Sequence, residues 1–556
     1  MRASKLVLVG VLALALSVLS GCGLPAGKSA AGELAALADA APTPELTWAP
    51  CADTDLSGFQ CAVAKVPRDY TQPHGPTLDL AVLRQPASDP DRRIGTLFAA
   101  VGGPGGSGLD WAAKGPLFAG EISRRFDVVT FDQRGIGRSG QVRCFADSRA
   151  QQRFWESATI PPVNPEQAAA TERGSRELAA GCAAHSADLL PHLTTVDAAR
   201  DLDLLRRALG EDKISYEGGS YASYLGQVYG ALFGDRVRAL LLGSMLDPDI
   251  YTEDTRREVT ETAIGTEEVF DEFLRLCAEA GRSRCAFAGG PERAEERRGQ
   301  GAAPGETAGT PTTTPYPTTT RAAPEVTKAL RERDTALMTA LRQGPITVGE
   351  RERAIQVSHT EVMQARALLL YDVEEGWPAL ARLLTELERG PAGNSETVQT
   401  ILAAGGVGLD FLDSYTAIIC ADNSQLRQPE QWPTIAREFT GAATAYGPFW
   451  LYQRQPCATW PAPGDGYPQR YTGPWTLSSD KPALLINNRY DPVTPLTFAR
   501  GAQQAMVNAR LVVVTDGYGH ETGGACVSRL RERYLVDLQL PAPGATCTLD
   551  TRPFID

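Results

Sequence analysis

Ser220 lies in the run Gly218-Gly-Ser-Tyr-Ala222, one residue after the segment Lys213–Tyr216. A serine hydroxyl is a weak nucleophile, so an enzyme that uses one must expose it on a tight turn, beside an imidazole base and opposite amide donors for an oxyanion. A tight strand-to-helix turn needs small residues two positions before and two positions after the serine. Gly218 and Ala222 meet that need, although glycine is usual at the second position. The run therefore predicts a nucleophile at Ser220, with a plain loop as the alternative.

The order of residues along the chain indicates the histidine and the carboxylate that would complete such a site. His520 follows the apolar run Ala509–Val514, and Asp491 follows the apolar run Pro482–Asn487. Hydrolases with a serine on this kind of turn place nucleophile, acid and histidine in that order. We expect His520 to act as the base and Asp491 to orient it, with Asp516 as the alternative acid. The other histidines of the chain precede these runs: His74, His185, His192 and His359.

A glycine-rich loop after the apolar run Gly95–Val101 offers the amide donors. It reads Gly102-Gly-Pro-Gly-Gly-Ser-Gly108. We expect the backbone amide of Gly102 or Gly103, together with that of Tyr221, to face the oxyanion. A phosphate cradle is the alternative use of such a loop, but its sequence lacks both the Lys-Ser/Thr ending of a P-loop and the dinucleotide-binding G-x-G-x-x-G register.

The elements that must position these residues follow from the pattern of apolar runs. Over residues 46–250, short apolar runs that end in glycine-rich turns alternate with helical patterns such as Val196–Leu209. The same alternation resumes over residues 478–556. Such runs indicate buried parallel strands. Helical patterns, including a long one at Glu361–Leu387, dominate residues 251–477. The sequence therefore predicts an α/β fold in which helices flank a mostly parallel sheet and a helical cap is inserted between its two halves.

The N-terminus has the features of an export signal. Residues 1–21 place two basic residues before an apolar run that ends at Leu19-Ser-Gly-Cys22. This ending resembles the bacterial lipobox, which implies cleavage before Cys22 and a lipid on its sulfur, with ordinary secretion as the alternative. Residues 22–45 are rich in Ala, Gly and Pro and would form a flexible tether. A second biased stretch, rich in Pro and Thr, covers residues 288–324 and is expected to be poorly ordered.

Cysteine usage agrees with export. The chain has 11 cysteines, so ten remain without Cys22, and an even number in an exported chain predicts disulfides. Zinc-ligand spacing is absent from the sequence, so no metal is expected. Pairing in chain order keeps every loop short, although sequence alone does not fix it: Cys51–Cys61, Cys144–Cys182, Cys277–Cys285, Cys420–Cys457 and Cys526–Cys547.

Overall charge and hydropathy exclude two broad classes of function. The net charge is −13, and an acidic surface repels the phosphate backbone of nucleic acid. The mean hydropathy of −0.21 argues against a polytopic membrane protein. The chain is expected to fold as a soluble globular body.

Several motifs in order resemble those of a known family, the secreted tripeptidyl aminopeptidases of actinobacteria, which are α/β-hydrolases related to proline iminopeptidase. The resemblance covers residues 46–250 and 476–550, and the closing segment from Gly519 to Cys547 is similar to the TAP-like C-terminal region of the family. It implies an α/β-hydrolase fold with Ser220 as nucleophile, Asp491 as acid and His520 as general base, and it requires no metal or organic cofactor. The motifs that carry it are Val101-Gly-Gly-Pro-Gly105, Asp132-Gln-Arg-Gly-Ile-Gly-Arg-Ser139, Thr194–Asp203, Gly219-Ser-Tyr221 and Asp491-Pro-Val-Thr-Pro495.

Two positions depart from the family pattern. Ala222 stands where glycine is expected, and Val101 stands where many iminopeptidases have histidine. These departures leave the exact activity open. The motif residues Asp132 and Arg134 are interpreted as structural, bracing the loop beside the oxyanion turn.

The resemblance predicts an envelope-anchored serine peptidase that releases short peptides, most simply tripeptides, from free N-termini. Its partners would be peptide or protein N-termini and, through a lipid on Cys22, the outer face of the cell membrane. The alternatives are an esterase or lipase with the same three residues and an inactive peptide-binding lipoprotein. A free N-terminus needs a carboxylate at a fixed distance from the serine, and five acids are candidates without one being assigned: Glu217, Asp372, Glu374, Glu375 and Asp422.

Overall fold

A computed structural model describes residues 30–289, 323–423, 426, 428–442, 445–461 and 468–554 of the chain. The expected signal peptide, Cys22 and most of the Pro/Thr-rich stretch lie outside the described residues. Within them, a ten-stranded sheet has the order β1-β2-β3-β5-β4-β6-β7-β10-β11-β12, and β8 and β9 form a separate hairpin. The strands are β1 Ala49–Pro50, β2 Gln60–Pro67, β3 Thr77–Gln85, β4 Gly95–Ala100, β5 Phe126–Phe131, β6 Ile214–Ser220, β7 Val237–Met245, β8 Ile346–Val348, β9 Ile355–Val357, β10 Ala483–Tyr490, β11 Ala509–Tyr518 and β12 Thr546–Cys547.

The centre of the sheet is parallel, as the sequence predicted. Strands β5, β4, β6, β7, β10, β11 and β12 pair in parallel, and β1, β2 and β3 add an antiparallel edge. Residues of β4 are buried on both faces of the sheet, which is why its sequence is a continuous apolar run. The carboxyl ends of parallel strands meet at one edge, so the loops after β4, β6, β7, β10 and β11 share that edge.

Helices cover both faces of the sheet and build the region between β7 and β10. Helix α6 begins after Thr194, whose side chain accepts from the amide of Asp197, and this agrees with the predicted helix at Val196–Leu209. The helices are α1 Ala30–Ala40, α2 Gly108–Ala112, α3 Gly120–Arg125, α4 Ser148–Ser157, α5 Pro165–Ser186, α6 Thr195–Ala208, α7 Tyr221–Phe233, α8 Pro248–Glu253, α9 Thr255–Ala280, α10 Ala323–Gln343, α11 His359–Leu369, α12 Gly376–Arg389, α13 Ser395–Ala404, α14 Leu409–Asp422, α15 Trp432–Ala442, α16 Gly447–Tyr452, α17 Gln455–Ala458, α18 Leu496–Met506 and α19 Gly524–Asp537.

The region from α8 to α17, called the cap below, has its own apolar core. Trp377, Phe273 and Leu384 are fully buried in it. A second core lies between the sheet and helices α6 and α7, and a third lies on the opposite face of the sheet. The helical cap inserted into an α/β core is therefore present as the sequence predicted.

The expected flexible tether is wrong for its second half. Residues Ala30–Ala40 form helix α1, with Ala35 and Ala38 buried. The side chain of Arg207 donates to the carbonyl oxygens of Ala38 and Ala41, both at 2.9 Å, and Arg200 donates to that of Leu34 at 3.0 Å. Arg207 stabilises the negative C-terminal end of α1, and both arginines hold the helix on α6.

All five disulfides join cysteines in chain order. The pairs are Cys51–Cys61, Cys144–Cys182, Cys277–Cys285, Cys420–Cys457 and Cys526–Cys547. The pairing suggested by loop length is thus the one in the structure. Cys420–Cys457 connects α14 to α17 within the cap.

Candidate active site

Ser220 occupies the turn between β6 and α7. Its backbone has φ 57° and ψ −132°, a strained combination for a residue with a side chain. The turn is crowded, because a Cβ added at Gly218 would lie 2.8 Å from the carbonyl oxygen and 2.9 Å from the Cβ of Ala222. Ala222 is accommodated because the residue facing it is glycine. The methyl that departs from the usual pattern therefore does not disturb the turn.

Asp491 and His520 are in direct contact at the ends of β10 and β11. His520 Nδ1 lies 3.0 Å from Oδ1 and 3.1 Å from Oδ2 of Asp491. Asp491 is buried, and its carboxylate also accepts from the amides of Val493 and Thr494 and from the Thr494 hydroxyl. Asp516, the alternative acid, instead accepts from the amide of Leu549. The contact favours Asp491 as the partner of the imidazole.

The end of β7 lies between Ser220 and His520. In the sheet Ser220 is paired with Met245, and the hydroxyl of the preceding Ser244 donates to the carbonyl oxygen of His520. The His520 amide donates to the carbonyl oxygen of Tyr371 at 2.9 Å, and the two rings pack edge to face with centroids 4.8 Å apart. His520 is therefore held in place by Ser244 of the sheet, by Asp491 and by Tyr371 of the cap.

The glycine loop after β4 lies against the serine. A Cβ added at Gly102 would lie 2.8 Å from the Cβ and 3.3 Å from the Oγ of Ser220. Only glycine permits this approach. Gly103 lines the same pocket as Ser220 and Tyr221, the first residue of α7. All three residues expected to donate to an oxyanion thus lie around Ser220.

Asp132 braces this loop, while Arg134 is buried against other segments of the core. Asp132 accepts from the Ser107 hydroxyl at 2.6 Å and from the amides of Leu109 and Arg138. Arg134 is fully buried and makes a bidentate ion pair with Asp201, with N–O distances of 2.7 and 2.6 Å. Asp132 thus makes the bracing contacts expected of it, whereas Arg134 is structural through Asp201 and the carbonyl oxygens of Pro67, Arg68 and His192.

A small pocket of about 50 Å³ opens above Ser220, between the core and the cap. It contains one carboxylate, Glu258 on α9, which forms an ion pair with Arg454. Burial raises the pKa of Glu258 and Arg454 opposes that shift. Its lining residues are Gly103, Ser220, Tyr221, Leu246, Tyr251, Glu258, Val259, Thr262, Tyr415, Ile419, Trp450, Arg454, Val493 and Thr494.

Comparison with known proteins gives consistent matches. A family model described as alpha/beta hydrolase fold matches residues 100–282, and one described as TAP-like protein matches residues 443–547. A tripeptidyl aminopeptidase of Streptomyces lividans is 27% identical over 557 residues, which cover 91% of this chain and 87% of the relative. The chain has the α/β-hydrolase fold, and its sequence is similar to that of the tripeptidyl aminopeptidase. It is a serine hydrolase.

Other relatives carry different names. Serine protease Hip1 of Mycobacterium tuberculosis is 26% identical over 531 residues, covering 90% of each chain. Carboxylesterase B of the same species is 28% identical over 526 residues, covering 91% of this chain and 90% of the relative. Because the relatives are named both as peptidases and as an esterase, likeness alone does not choose the substrate of this hydrolase.

The five acids considered for a substrate amine are not among the residues that line the pocket. Glu217 forms an ion pair with Arg531 at 2.7 Å, and the carboxylates of Asp372, Glu374 and Glu375 belong to an exposed turn. Asp422 is buried, where it accepts from Thr195. Sequence reasoning missed Glu258, which is separated from its partner Arg454 by 196 positions, so no local pattern relates them.

Proposed function

We propose that this hydrolase is a serine peptidase that releases short peptides, most simply tripeptides, from free N-termini through Ser220, His520 and Asp491. The observation that carries the proposal is the contact between His520 Nδ1 and Asp491, 3.0 and 3.1 Å, at the sheet edge that also holds the Ser220 turn. The names of the tripeptidyl aminopeptidase and of serine protease Hip1 support peptide bonds as the target.

The chemistry follows from the roles of the three residues. His520 accepts the proton of the Ser220 hydroxyl as the oxygen attacks the scissile carbonyl, while Asp491 holds the ring with Nδ1–H facing the carboxylate. The amides of Gly102 or Gly103 and of Tyr221 stabilise the oxyanion. His520 then protonates the leaving amine, and water releases the peptide from Ser220 by the reverse sequence. Every proton passes through His520, so the reaction needs no metal or organic cofactor.

Glu258 supplies the preference for a free N-terminus. Its Oε1 pairs with Arg454, and its buried Oε2 has no hydrogen-bond partner among the described residues. A buried carboxylate oxygen without a partner is costly, and a substrate ammonium would satisfy it. Glu258 shares the pocket with Ser220, so its distance from the serine would limit how many residues fit between the substrate amine and the cleaved bond.

The experiment that tests the proposal compares three substrates on the wild-type protein and on Ser220→Ala. They are a free-amine tripeptide anilide, its N-acetylated form and a short acyl ester. We expect turnover of the free-amine anilide, much less of the acetylated form, and none of either by Ser220→Ala. Turnover of the ester alone would contradict the peptidase assignment.

An esterase is the second candidate, and a specific observation favours it: Carboxylesterase B matches as much of the chain as the aminopeptidase does. An inactive peptide-binding protein is the third. If the protein were inactive, Ser220 would not react with a fluorophosphonate, since only an activated serine reacts quickly with this reagent.

We further propose that the protein is exported and anchored through a lipid on Cys22. Five disulfides support an oxidising compartment. Only residues 23–29 would separate the lipid from helix α1, so the catalytic body would stay close to the membrane surface. Wild-type protein should fractionate with membranes and Cys22→Ala should not; membrane association of both would contradict the anchor.

A further inference from the structure

Helix α14 of the cap contacts the glycine loop at Gly103 and Gly105, next to the Gly102 that faces the serine. A Cβ added at Gly103 would lie 2.9 Å from the ring of Phe411, and one added at Gly105 would lie 3.0 Å from the Phe411 carbonyl oxygen. The neighbouring Gly102 is equally close to Ser220. The loop is therefore held between the serine and the first turn of α14, and a shift of that turn would leave the loop without support.

The last residue of the same helix reaches the other oxyanion donor. Asp422 accepts from the amide of Thr195 at 2.8 Å and from its hydroxyl at 2.6 Å. The Thr195 hydroxyl also lies 2.6 Å from the phenol oxygen of Tyr221. When Asp422 is ionised, the single proton of the Thr195 hydroxyl goes to the carboxylate, and the Tyr221 phenol donates to Thr195. This chain of hydrogen bonds fixes the side chain of the residue whose amide follows Ser220.

Helix α14 is firmly attached to the core between these two ends. Asp413 accepts from the amide of Cys144 at 3.2 Å and from the side chain of Gln151 at 3.1 Å. Ser414 donates to the carbonyl oxygen of Gly135 at 2.7 Å, in the motif that braces the glycine loop. Within the cap itself, the disulfide from Cys420 to Cys457 joins α14 to α17. A cap element that only covered substrate would not need so many contacts with the core.

We propose that α14 positions the oxyanion hole: Phe411 sets the glycine loop at one end, and Asp422 sets Tyr221 through Thr195 at the other. The cap then contributes to transition-state stabilisation as well as to enclosing the substrate. Neither side chain touches the reacting atoms, so both are positioning residues. The inference rests on the proposed function, because it assumes that a tetrahedral oxyanion forms at Ser220.

Two pairs of variants test the two ends of the helix. Phe411→Ala removes the ring from the loop, and Asp410→Asn is its control, because Asp410 is exposed one position earlier. Thr195→Val breaks the link between Asp422 and Tyr221, while Thr195→Ser keeps the hydroxyl. Phe411→Leu replaces Phe411→Ala if the latter does not fold, as judged by its melting temperature.

Four constants are measured for each variant. These are kcat and KM for the free-amine tripeptide anilide, the inhibition constant of the matching tripeptide trifluoromethyl ketone, and that of the product tripeptide. The ketone forms an oxyanion on the serine and the product does not. Loss of a full oxyanion donor lowers kcat about 10²- to 10³-fold, so a displaced donor should lower it about 10- to 100-fold.

The expected result for Phe411→Ala and Thr195→Val is a lower kcat with KM nearly unchanged. Ketone binding should weaken by the same factor as kcat/KM falls, while product binding stays constant. Asp410→Asn should behave as wild type and Thr195→Ser should recover most of the lost kcat. Unchanged kcat, or a rise in KM matched by weaker product binding, would overturn the inference.

Failure of the proposed function has a different signature. A wild-type protein that cleaves only the ester refutes the peptidase assignment. Ester cleavage also passes through an oxyanion, so the same variants are then measured on that ester. The inhibitor in that case is a trifluoromethyl ketone with the acyl chain of the ester. A wild-type protein that turns over neither anilide nor ester overturns both proposals.

Discussion

The hydroxyl of Thr494 donates to Asp491 Oδ2 at 2.8 Å, three positions along the chain from the carboxylate that it holds. The Thr494 amide donates to Oδ1 at 2.8 Å as well, and the hydroxyl lies 3.4 Å from His520 Nδ1. Thr494 therefore donates to both oxygens of the carboxylate that contacts the imidazole. A hydrogen bond to a charged group contributes about 1.5–3 kcal/mol, enough to affect how the histidine is oriented.

Loss of that hydroxyl should slow the reaction. Thr494→Val is expected to lower kcat about 10- to 100-fold, because Asp491 loses one of its charged hydrogen bonds and orients His520 less well. Thr494→Ser keeps the hydroxyl and should retain most of the activity. Steady-state kinetics on the tripeptide anilide measures both, and wild-type kcat in Thr494→Val would show that the hydroxyl is not needed.

Removal of the three central residues should have larger effects of graded size. Ser220→Ala and His520→Ala are expected to lower kcat about 10⁴- to 10⁶-fold, and Asp491→Asn somewhat less. Asp516→Asn is the matched control, because Asp516 accepts from Leu549 away from the histidine. If Asp516→Asn were as damaging as Asp491→Asn, the assignment of the acid would be wrong.

A methyl group at Gly102 should block catalysis. Gly102→Ala places its Cβ 2.8 Å from the Cβ of Ser220, so the glycine loop or the serine must move. We expect a decrease in kcat of about 10²- to 10³-fold, as for loss of an oxyanion donor. Gly344→Ala is the control, since a Cβ there meets no atom within 4 Å. Wild-type kcat in Gly102→Ala would mean that this loop does not contribute to the reaction.

Neutralising Glu258 should affect free-amine substrates selectively. Glu258→Gln keeps a hydrogen-bond acceptor for Arg454 but removes the charge that would bind an ammonium. We expect kcat/KM for the tripeptide anilide to fall about 10- to 100-fold, from the loss of a charged hydrogen bond, with little change for the acyl ester. Glu261→Gln, one turn later on α9 and paired with Arg257, controls for charge on the helix. Equal loss on both substrates would contradict a role in amine recognition.

Asp422 should make stability depend on pH. Burial raises its pKa to about 7, opposed by hydrogen bonds from Thr195, so the folded protein binds a proton that the unfolded chain releases near pH 4. Stability from this group is therefore largest below pH 4 and decreases as pH rises to about 7, by about 1.4 kcal/mol per pH unit. The titratable or charged groups that interact with Asp422 are Tyr221, Tyr224, Tyr251 and Arg470.

The measurement is the unfolding free energy of wild type and Asp422→Asn between pH 4 and 8. The variant should show a smaller decrease over this range. Some slope should remain, because burial also raises the pKa of Asp413 on the same helix, to about 6. Identical slopes in the two proteins would contradict the raised pKa of Asp422.

The central parallel strands were predictable because strands such as β4, β5 and β10 are buried on both faces, so that each has an apolar run in its sequence. The predicted runs at Gly95–Val101 and Pro482–Asn487 correspond to β4 and β10 within a residue or so at their starts. The antiparallel edge was not predicted, since β2 alternates buried and exposed residues and lacks such a run. Buried parallel strands therefore show a continuous apolar run in the sequence, whereas the antiparallel edge strand β2 shows an alternating pattern.

Contacts between distant residues explain the other differences. Helix α1 is alanine-rich and was interpreted as a tether, because its stability depends on Arg200 and Arg207, far along the chain. The single helical pattern at Glu361–Leu387 is two helices, α11 and α12, and the break between them carries Tyr371 to His520. No local signal in the sequence marks that break as part of the site.

The most direct test of the account is covalent labelling of the wild-type protein with a fluorophosphonate, with the modified peptide located by mass spectrometry. The account predicts rapid modification at Ser220, lost in Ser220→Ala and greatly slowed in His520→Ala, because the imidazole must accept the hydroxyl proton. Modification at another serine, or equal labelling rates in wild type and His520→Ala, would contradict it.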